Sequence, residues 1–529
     1  MSSGPHVTPG MATTKREKHR VVFIACVLRG TEAGFHSHVA PYALRSYLTR
    51  IPEVAAHYEI EIVPWAPAGN FPYTRLDRIA ERGLSSLLRR RPSIIAFSLY
   101  VWNVEVQAGL AAQIKAIDPQ VLLIAGGPEV ADRESFAETF GAFDVLVSGD
   151  GELPLSRMLE RFAAGSEDLS AIPNLSFRAD GSLRHNESNR EVPPAGRIPS
   201  VYADYPEELY GQICHAHVRG CSHACKYCQW ASQPMRRKAA AQAVAELELI
   251  VSQPRVSSLV LFDYDLLGYH IHDPDLFARI ARVLSSRPDL TYRCFTGVET
   301  LARAPATVKD LLLRLPRLHV LLGVQSLNPT ALEQVNRGWA VPGLALLDKV
   351  DPALRARTQV ELVFPLPAET PATWYDGIQH LLQMGYCKFH LFPLMVMPGT
   401  ALHREAHELG LEFMPSSPHL CFETPTFSRQ DWLDALGFSY VVNRLSMTLG
   451  HTRLGNEPFR TVYAAPSEFV SKLLARIRSG EELDAILADL VSSVAAVDLP
   501  SVRDFSLEEH NLLDRALRAE GSSRRPARP

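Results

Sequence analysis

Apolar and polar positions divide the chain into two successive series of short hydrophobic segments separated by longer amphipathic ones. In the first series VVFIACVL (21–28), YEIEIV (58–63), SIIAFSL (93–99), VLLIAG (121–126) and DVLV (144–147) read as strands, with helix-like stretches at 37–50, 74–90 and 103–117. Strands that run almost without a polar residue have both faces buried, so the pattern predicts a parallel sheet covered by helices on each side. The second series begins near residue 212, with QICHAH (212–217), SSLVLF (257–262), YRCFT (292–296), HVLLG (319–323), TQVELVF (358–364) and KFHLFP (388–393) as strands. Six strand–helix repeats fit a partial (β/α)6 barrel better than a closed eightfold one.

Between the two series IPNLSFRADGSLRHNES reads as a hairpin around Asp180-Gly181, and PPAGRIPSVYADYP as a proline-rich connection. The expected organisation is therefore α/β. A doubly wound, flavodoxin-like domain spans 20–165, a linker with a hairpin 166–206, the partial barrel 207–410 and a mainly helical segment 411–515. Residues 1–19 and 516–529 are expected to be disordered ends. A doubly wound sheet binds ligands at the carboxyl ends of its strands.

Composition narrows the function classes. The chain has 529 residues, 46% hydrophobic and 21% charged, and a formal charge of −4. The basic runs Arg89–Arg91 and Arg524–Arg528 are short. Nothing here favours nucleic acid as a partner. No run of about 18 apolar residues predicts a membrane span. The polar opening MSSGPHVTPGMATTKREKHR has no apolar core of a secretory signal, and Met11 is an alternative start. A cytoplasmic location follows as the expectation. It agrees with eight cysteines, three of them within eight residues, which suggests metal ligation in a reducing compartment rather than a disulfide framework.

Those three are Cys221, Cys225 and Cys228 in RGCSHACKYCQW (219–230), spaced C-x3-C-x2-C directly after the first barrel strand. Three thiolates on one loop can hold three irons of a [4Fe–4S] cube, whose usual protein ligand set is four cysteines, and so leave one iron open. Structural zinc is the competing reading, but it wants a closed four-ligand shell and commonly paired C-x2-C ligands. His215, His217 and His223 lie close by in sequence, yet the first two fall on the preceding strand and read as packed or solvated side chains.

This cysteine motif resembles that of the radical S-adenosylmethionine (SAM) superfamily, as does Tyr227 before the last cysteine. The resemblance implies a cluster that binds SAM at its open iron and reduces it by one electron to a 5′-deoxyadenosyl radical. It also implies a reductant such as flavodoxin or ferredoxin, and places Tyr227 near SAM. GVQSLNPTALEQVNRG (323–338) resembles the family's fourth-strand region, where Gln325 and Ser326 would face SAM. ELVFPLPAET (361–370) and LMVMPGTAL (394–402) match its fifth strand and the segment after its sixth.

The loops of the first domain add a second cofactor. SLYVWN (98–103), GGPEVA (126–131) and SGDGE (148–152) follow three consecutive strands. Paired glycines there let backbone approach a large ligand. Together they resemble the cobalamin-binding domain of cobalamin-dependent radical SAM enzymes, over about residues 20–410. The likeness assigns Ser98 and the Gly126–Gly127 turn to the nucleotide tail, and Tyr100, Trp102 and Asn103 to the corrin. Pro128, Glu129, Gly149, Gly151 and Glu152 complete the cofactor loops. CVLRGTEAGFHSH lacks the D-x-H-x-x-G motif that ligates cobalt from below, and His36 and His38 are off-pattern, so a cobalt without a histidine on its lower face is expected. Cys26 alone cannot hold the second cluster of a methylthiotransferase, and Cys387 and Cys421 are too few for auxiliary clusters. Cys214, Cys294, Cys387 and Cys421 read as buried.

The family implies methyl transfer from SAM through methylcobalamin to an unreactive carbon of a small-molecule or peptide intermediate. A cobalamin-dependent rearrangement, cyclisation or ring contraction is the alternative, and a cobalamin-binding protein with a structural metal is a third. Asp263, Asp265, Glu299 and Glu361, near barrel strand ends, are the candidate acid, base or substrate-binding residues.

Overall fold

A computed structural model describes residues 18–26, 39–65, 81–189, 191–193, 198–231, 235–450 and 457–494. His36 and His38, the ends of the chain and parts of the helices expected at 37–50 and 74–90 lie outside the described residues. The chain divides into two compact units, Met1–Cys214 with Arg236–Val256, and His215–Met235 with Ser257–Pro529.

In the first unit the strands are β1 (His19–Cys26), β2 (Tyr58–Trp65), β3 (Ile94–Ser98), β4 (Leu122–Gly126), β5 (Val145–Val147), β6 (Leu175–Ala179) and β7 (Ser182–His185). They form one sheet in the order β2-β1-β3-β4-β5-β6-β7, in which the first five are parallel. That arrangement is the doubly wound order expected of the first apolar series. Alternate residues serve opposite faces. Val22, Ile24, Ile95, Phe97 and Leu123 pack with Leu110 and Ile114 of the helix Val104–Ile117. Val21, Phe23, Ile94, Leu122 and Ile124 pack with Leu155, Met158 and Phe162 of the helix Glu152–Ala163. Two cores on one sheet explain why β1, β3, β4 and β5 carry no polar alternation, whereas β2, at the sheet edge, alternates Glu59 and Glu61 with Tyr58, Ile60 and Ile62.

The hairpin lies in the segment read as a linker, yet it joins this sheet. Asp180 and Gly181 both have positive φ, 51° and 76°, as a two-residue hairpin turn requires, and β6 pairs antiparallel with β5. The turn after β4 is tighter still. Gly127 has φ 104°, and a Cβ there would stand 2.4 Å from the Leu99 carbonyl oxygen. Gly127→Ala is therefore expected to destabilise the first unit by about 2–4 kcal/mol, through strain and a backbone clash, measured by equilibrium denaturation.

The remaining strands are β8 (Gly211–His215), the two-residue β9 (Val218–Arg219) and β10 (Arg236–Arg237), β11 (Val256–Leu261), β12 (Thr291–Thr296), β13 (Leu318–Gln325), β14 (Thr358–Phe364), β15 (Lys388–Pro393), β16 (Glu412–Phe413) and β17 (Cys421–Glu423). A six-stranded sheet runs β15-β14-β13-β12-β11-β8, with β11 to β15 parallel. The boundary between the units falls inside β8, after Cys214. The open edge at β15 is covered by the helix Arg429–Gly450. Asn443 exchanges two hydrogen bonds with the Leu391 backbone (2.8 and 3.0 Å), and the Phe389 N–H donates to Ser446 Oγ (2.8 Å). Side chains thus complete the pairing of an edge strand that would otherwise be exposed.

Candidate functional site

The cysteine segment begins where β9 ends. Gly220, with φ 87°, turns the chain into Cys221. Cys225 is buried, and Cys221 and Cys228 are half-buried. The loop is gripped at its centre. The Lys226 N–H donates to the Val335 carbonyl, and the Lys226 carbonyl accepts from the Leu402 N–H, both at 2.9 Å. Lys226 Nζ pairs with Glu405 (2.7 Å), and Asn336 Nδ2 donates to the Ala224 carbonyl (2.8 Å). The two stretches quoted as separate sequence signals, 323–338 and 394–402, therefore meet on the loop that carries the thiols.

Further bonds act on the sulfurs and their neighbours. The His223 N–H donates to Cys221 Sγ (3.4 Å), and Arg337 Nη1 donates to Cys225 Sγ (3.5 Å). Tyr227 packs against an apolar cluster that includes Val335, Val363, Leu394 and Val396. Burial pushes the Cys221 and Cys228 thiols and the Tyr227 phenol above their ordinary ranges. A bound metal takes such thiols as thiolates, and its charge offsets the cost of burying them. Among the described residues no three His, Cys, Asp or Glu side chains are gathered to hold one metal ion. Three thiols on one short loop fit the donor chemistry of an iron–sulfur cube, in which each thiolate takes a different iron.

A polar group gathers where β13, β14 and β15 lie side by side. Glu361 on β14 stands in register between Gly323 and His390, and His390 Nδ1 is 3.7 Å from its carboxylate. A Cβ at Gly323 would stand 2.9 Å from Gln325 Nε2, 3.4 Å from Arg337 Nη2 and 3.9 Å from Glu361 Oε2. The glycine thus leaves room for three polar side chains around one backbone position. Gln325 has φ 71° at a register shift in β13, a conformation that costs a non-glycine residue and occurs preferentially at functional sites.

The other candidates from the barrel are engaged elsewhere. Asp263 is buried and accepts from the His217 and Val218 N–H groups (3.3 and 3.0 Å) and from the Tyr269 hydroxyl (2.8 Å). Asp265 accepts from Thr296, Thr300 and the Gly268 N–H (2.6, 2.7 and 3.0 Å). Both carboxylates brace strand ends, because each faces donors that the adjoining turns leave unpaired. The Ser326 hydroxyl donates to the buried Glu369 and accepts from the Asn328 N–H (2.9 Å), so it ties two loops together. Glu299 is a correction. It is exposed on the helix Val298–Ala302 and paired one turn on with Arg303 (2.8 Å), away from the barrel interior. His215 and His217 are buried, and His223 stacks on Trp339 with ring centroids 3.7 Å apart. Cys214, Cys294, Cys387 and Cys421 are buried too, with Cys387 pushed up to about 11 and Cys421 to about 12 by burial. Such thiols stay neutral.

In the first unit the expected cofactor loops stand at the carboxyl ends of β3, β4 and β5. The Ser98 carbonyl accepts from Asn103 Nδ2 and Gln107 Nε2, and the Tyr100 N–H donates to Asn103 Oδ1 (2.8 Å). Asn103 therefore shapes its own loop. Tyr100 and Trp102 stack with centroids 4.4 Å apart. Pro128 and Glu129 open a short helical turn directly after Gly127. Gly149 has φ 72°, and Gly151 sits where a Cβ would press on Leu44 at 3.1 Å. Glu152 is buried at the start of its helix, and Asp150 pairs with Arg236. Trp102 Nε1, Gln107 Oε1 and Ser148 Oγ are buried without a hydrogen-bond partner. An unpaired buried polar atom costs about 1–3 kcal/mol, so these three atoms, at the ligand end of the sheet, fit a large polar cofactor that would supply the missing partners.

No family model matches the chain. Curated proteins do match it, among them two methyltransferases. It is 25% identical over 453 residues to 2-(S-pantetheinyl)-carbapenam-3-carboxylate methyltransferase of Streptantibioticus cattleyicolor, a match covering 76% of this chain and 62% of that protein. It is also 25% identical over 391 residues to the cobalamin-dependent radical SAM methyltransferase TokK of Streptomyces tokunonensis, covering 67% and 57%. The chain is thus a relative of the cobalamin-dependent radical SAM methyltransferases. It spans less than two thirds of the length of either relative. Its fold matches the radical SAM methyltransferase TsrM of Kitasatospora setae, solved with cobalamin and a [4Fe–4S] cluster bound. The TM-score is 0.58 at 15% identity, covering 88% of this chain and all of that one.

In this relative of the cobalamin-dependent enzymes, sequence reasoning overlooked Arg337, His390, Glu369 and the Lys226–Glu405 pair. Arg337 lies inside a stretch already singled out, but only tertiary contact reveals which of its side chains reaches a cysteine. His390 could have been found from the period of two, since it falls in register with Glu361 on the next strand.

Proposed function

We propose that this chain is a cobalamin-dependent radical SAM C-methyltransferase. It would move a methyl group from SAM, by way of cobalamin, to an unreactive carbon of a small-molecule or peptide biosynthetic intermediate. The observation that carries the reading is the cysteine loop, clamped at Lys226 by two distant segments and followed around the sheet by the Gln325–Glu361–His390 group. The names of the two curated relatives support methyl transfer over the other chemistries of the same cofactors.

When bound, the cluster with SAM supplies a hydrogen-abstracting radical and cobalamin supplies a methyl carrier. The chain's own part is placement. Cys221, Cys225 and Cys228 hold the cluster, and Tyr227 covers its loop with apolar neighbours that exclude water. Gln325 and Glu361 present an amide and a carboxylate to the polar ends of SAM or substrate, with His390 orienting Glu361. Ser98, Tyr100, Trp102 and Asn103, with the loops at Gly126–Glu129 and Gly149–Glu152, would hold cobalamin. Asp263 and Asp265 keep the barrel ends in place. Holding reactants in line contributes several kcal/mol before any bond changes. An external one-electron donor of the flavodoxin or ferredoxin type would serve as reductant.

The test is anaerobic incubation of the reconstituted chain with cobalamin, a reductant, SAM labelled in its methyl group and candidate substrates. Label in the product, with S-adenosylhomocysteine and 5′-deoxyadenosine both released, is the expected result. Release of 5′-deoxyadenosine with no methyl gain would replace it with a rearrangement or cyclisation. No iron–sulfur absorbance and no SAM cleavage would overturn the enzyme reading altogether.

A further inference from the structure

Arg337 stands apart from the residues that brace the barrel, because it reaches a cluster thiol directly. Its Nη1 donates to Cys225 Sγ (3.5 Å) and its Nη2 to the Gly323 carbonyl (2.5 Å). Its guanidinium lies 4.7 Å from the centroid of the Trp339 ring, and Trp339 stacks on His223, whose N–H donates to Cys221 Sγ. One side chain thus joins β13, the cysteine loop and the aromatic pair. Its Nη1 and Nη2 are both committed, which fixes the plane of the guanidinium fork.

From this geometry we infer that Arg337 tunes the reduction potential of the cluster that Cys225 helps to hold. This rests on the proposed [4Fe–4S] site and goes beyond it by assigning the electrostatic control of that site to one residue. Reduction would add one electron, and so one negative charge, to the cluster. A fixed cation hydrogen-bonded to a ligating sulfur stabilises the reduced form more than the oxidised one. Hydrogen bonds to sulfur and local charge are the levers by which proteins set such potentials. Arg337 therefore makes the cluster easier to reduce. It is a positioning residue, since it acts through Cys225.

The experiment compares the full chain with Arg337→Gln and Arg337→Lys after anaerobic reconstitution with iron and sulfide. Iron and sulfide are counted per chain, and the potential is read by redox titration followed by electron paramagnetic resonance. Arg337→Gln is expected to keep its iron and shift to a more negative potential, because it keeps an amide donor on a shorter side chain but no charge. Arg337→Lys, which keeps the charge without the fork, is expected to fall between Gln and the unchanged chain. Equal potentials in all three loaded proteins would overturn the assignment. If Arg337→Gln loses its iron, the Lys variant decides: a retained cluster at lowered potential supports the assignment, and one at unchanged potential overturns it. Should Arg337→Lys lose its iron as well, Arg337 is needed to hold the loop and the tuning assignment is overturned. An unchanged chain that takes up no iron overturns the cluster reading itself, and the assignment with it.

Discussion

Cys225→Ala is expected to remove the iron–sulfur absorbance of the reconstituted chain and, with it, all release of 5′-deoxyadenosine from SAM. Loss of an outer partner of a metal ligand costs roughly 10–100-fold in metal affinity, and loss of a ligand itself exceeds that. Cys225 is the most enclosed of the three loop cysteines, and its backbone carbonyl also accepts from the Cys228 N–H (3.1 Å). Alanine keeps that backbone bond and the small buried volume, so the fold should survive. Iron per chain with ultraviolet–visible absorbance, 5′-deoxyadenosine released from SAM, and circular dichroism of the variant check the three parts separately. A variant that keeps a full iron complement and cleaves SAM at the original rate would sink the reading of RGCSHACKYCQW as a cluster loop.

The second large effect is on stability. Asp263→Ala removes the acceptor shared by the His217 and Val218 N–H groups and the Tyr269 hydroxyl, leaving donors that are buried with it. Removing one partner of a buried charged network costs about 3–5 kcal/mol. Tyr269→Phe deletes a single donor and leaves the two backbone bonds, for about 1 kcal/mol. Urea denaturation of the two variants checks the ratio. Because His217 leads directly into β9, which Val218 opens just before the cysteines, Asp263→Ala should also lower iron uptake, whereas Tyr269→Phe should not. Equal and small losses in both variants would show that Asp263 does not hold the root of the loop, and would return it to the list of groups facing substrate.

The positions of the strands were legible in the sequence because they depend on local hydrophobic pattern. A strand buried on both faces is apolar, as β3, β4 and β5 are, and the five strands of the first series are found within two residues of their expected limits wherever they are described. The cysteine loop was legible for a related reason: metal ligation by one loop is a matter of spacing along the chain. Even the departures follow from locality. The hairpin at Asp180-Gly181 was visible as a turn, but its pairing with β5 depends on an edge more than twenty residues earlier.

The site around the loop was only half legible. The family resemblance singled out Gln325 and a place near a strand end singled out Glu361, and the structure brings both to Gly323. The same criterion singled out Glu299, which a helix carries to the surface. Near a strand end a carboxylate's role depends on which donors lie opposite it, and those donors come from other segments. Asp263 finds backbone N–H groups 45 and 46 residues earlier, and Cys225 finds Arg337 112 residues later. Sequence alone therefore determined the elements, the order of the two β/α series and the three thiols. Tertiary structure decided which polar side chains face one another, since the hydrogen bonds and charges that assign their roles act through space over a few ångströms and carry no periodicity along the chain.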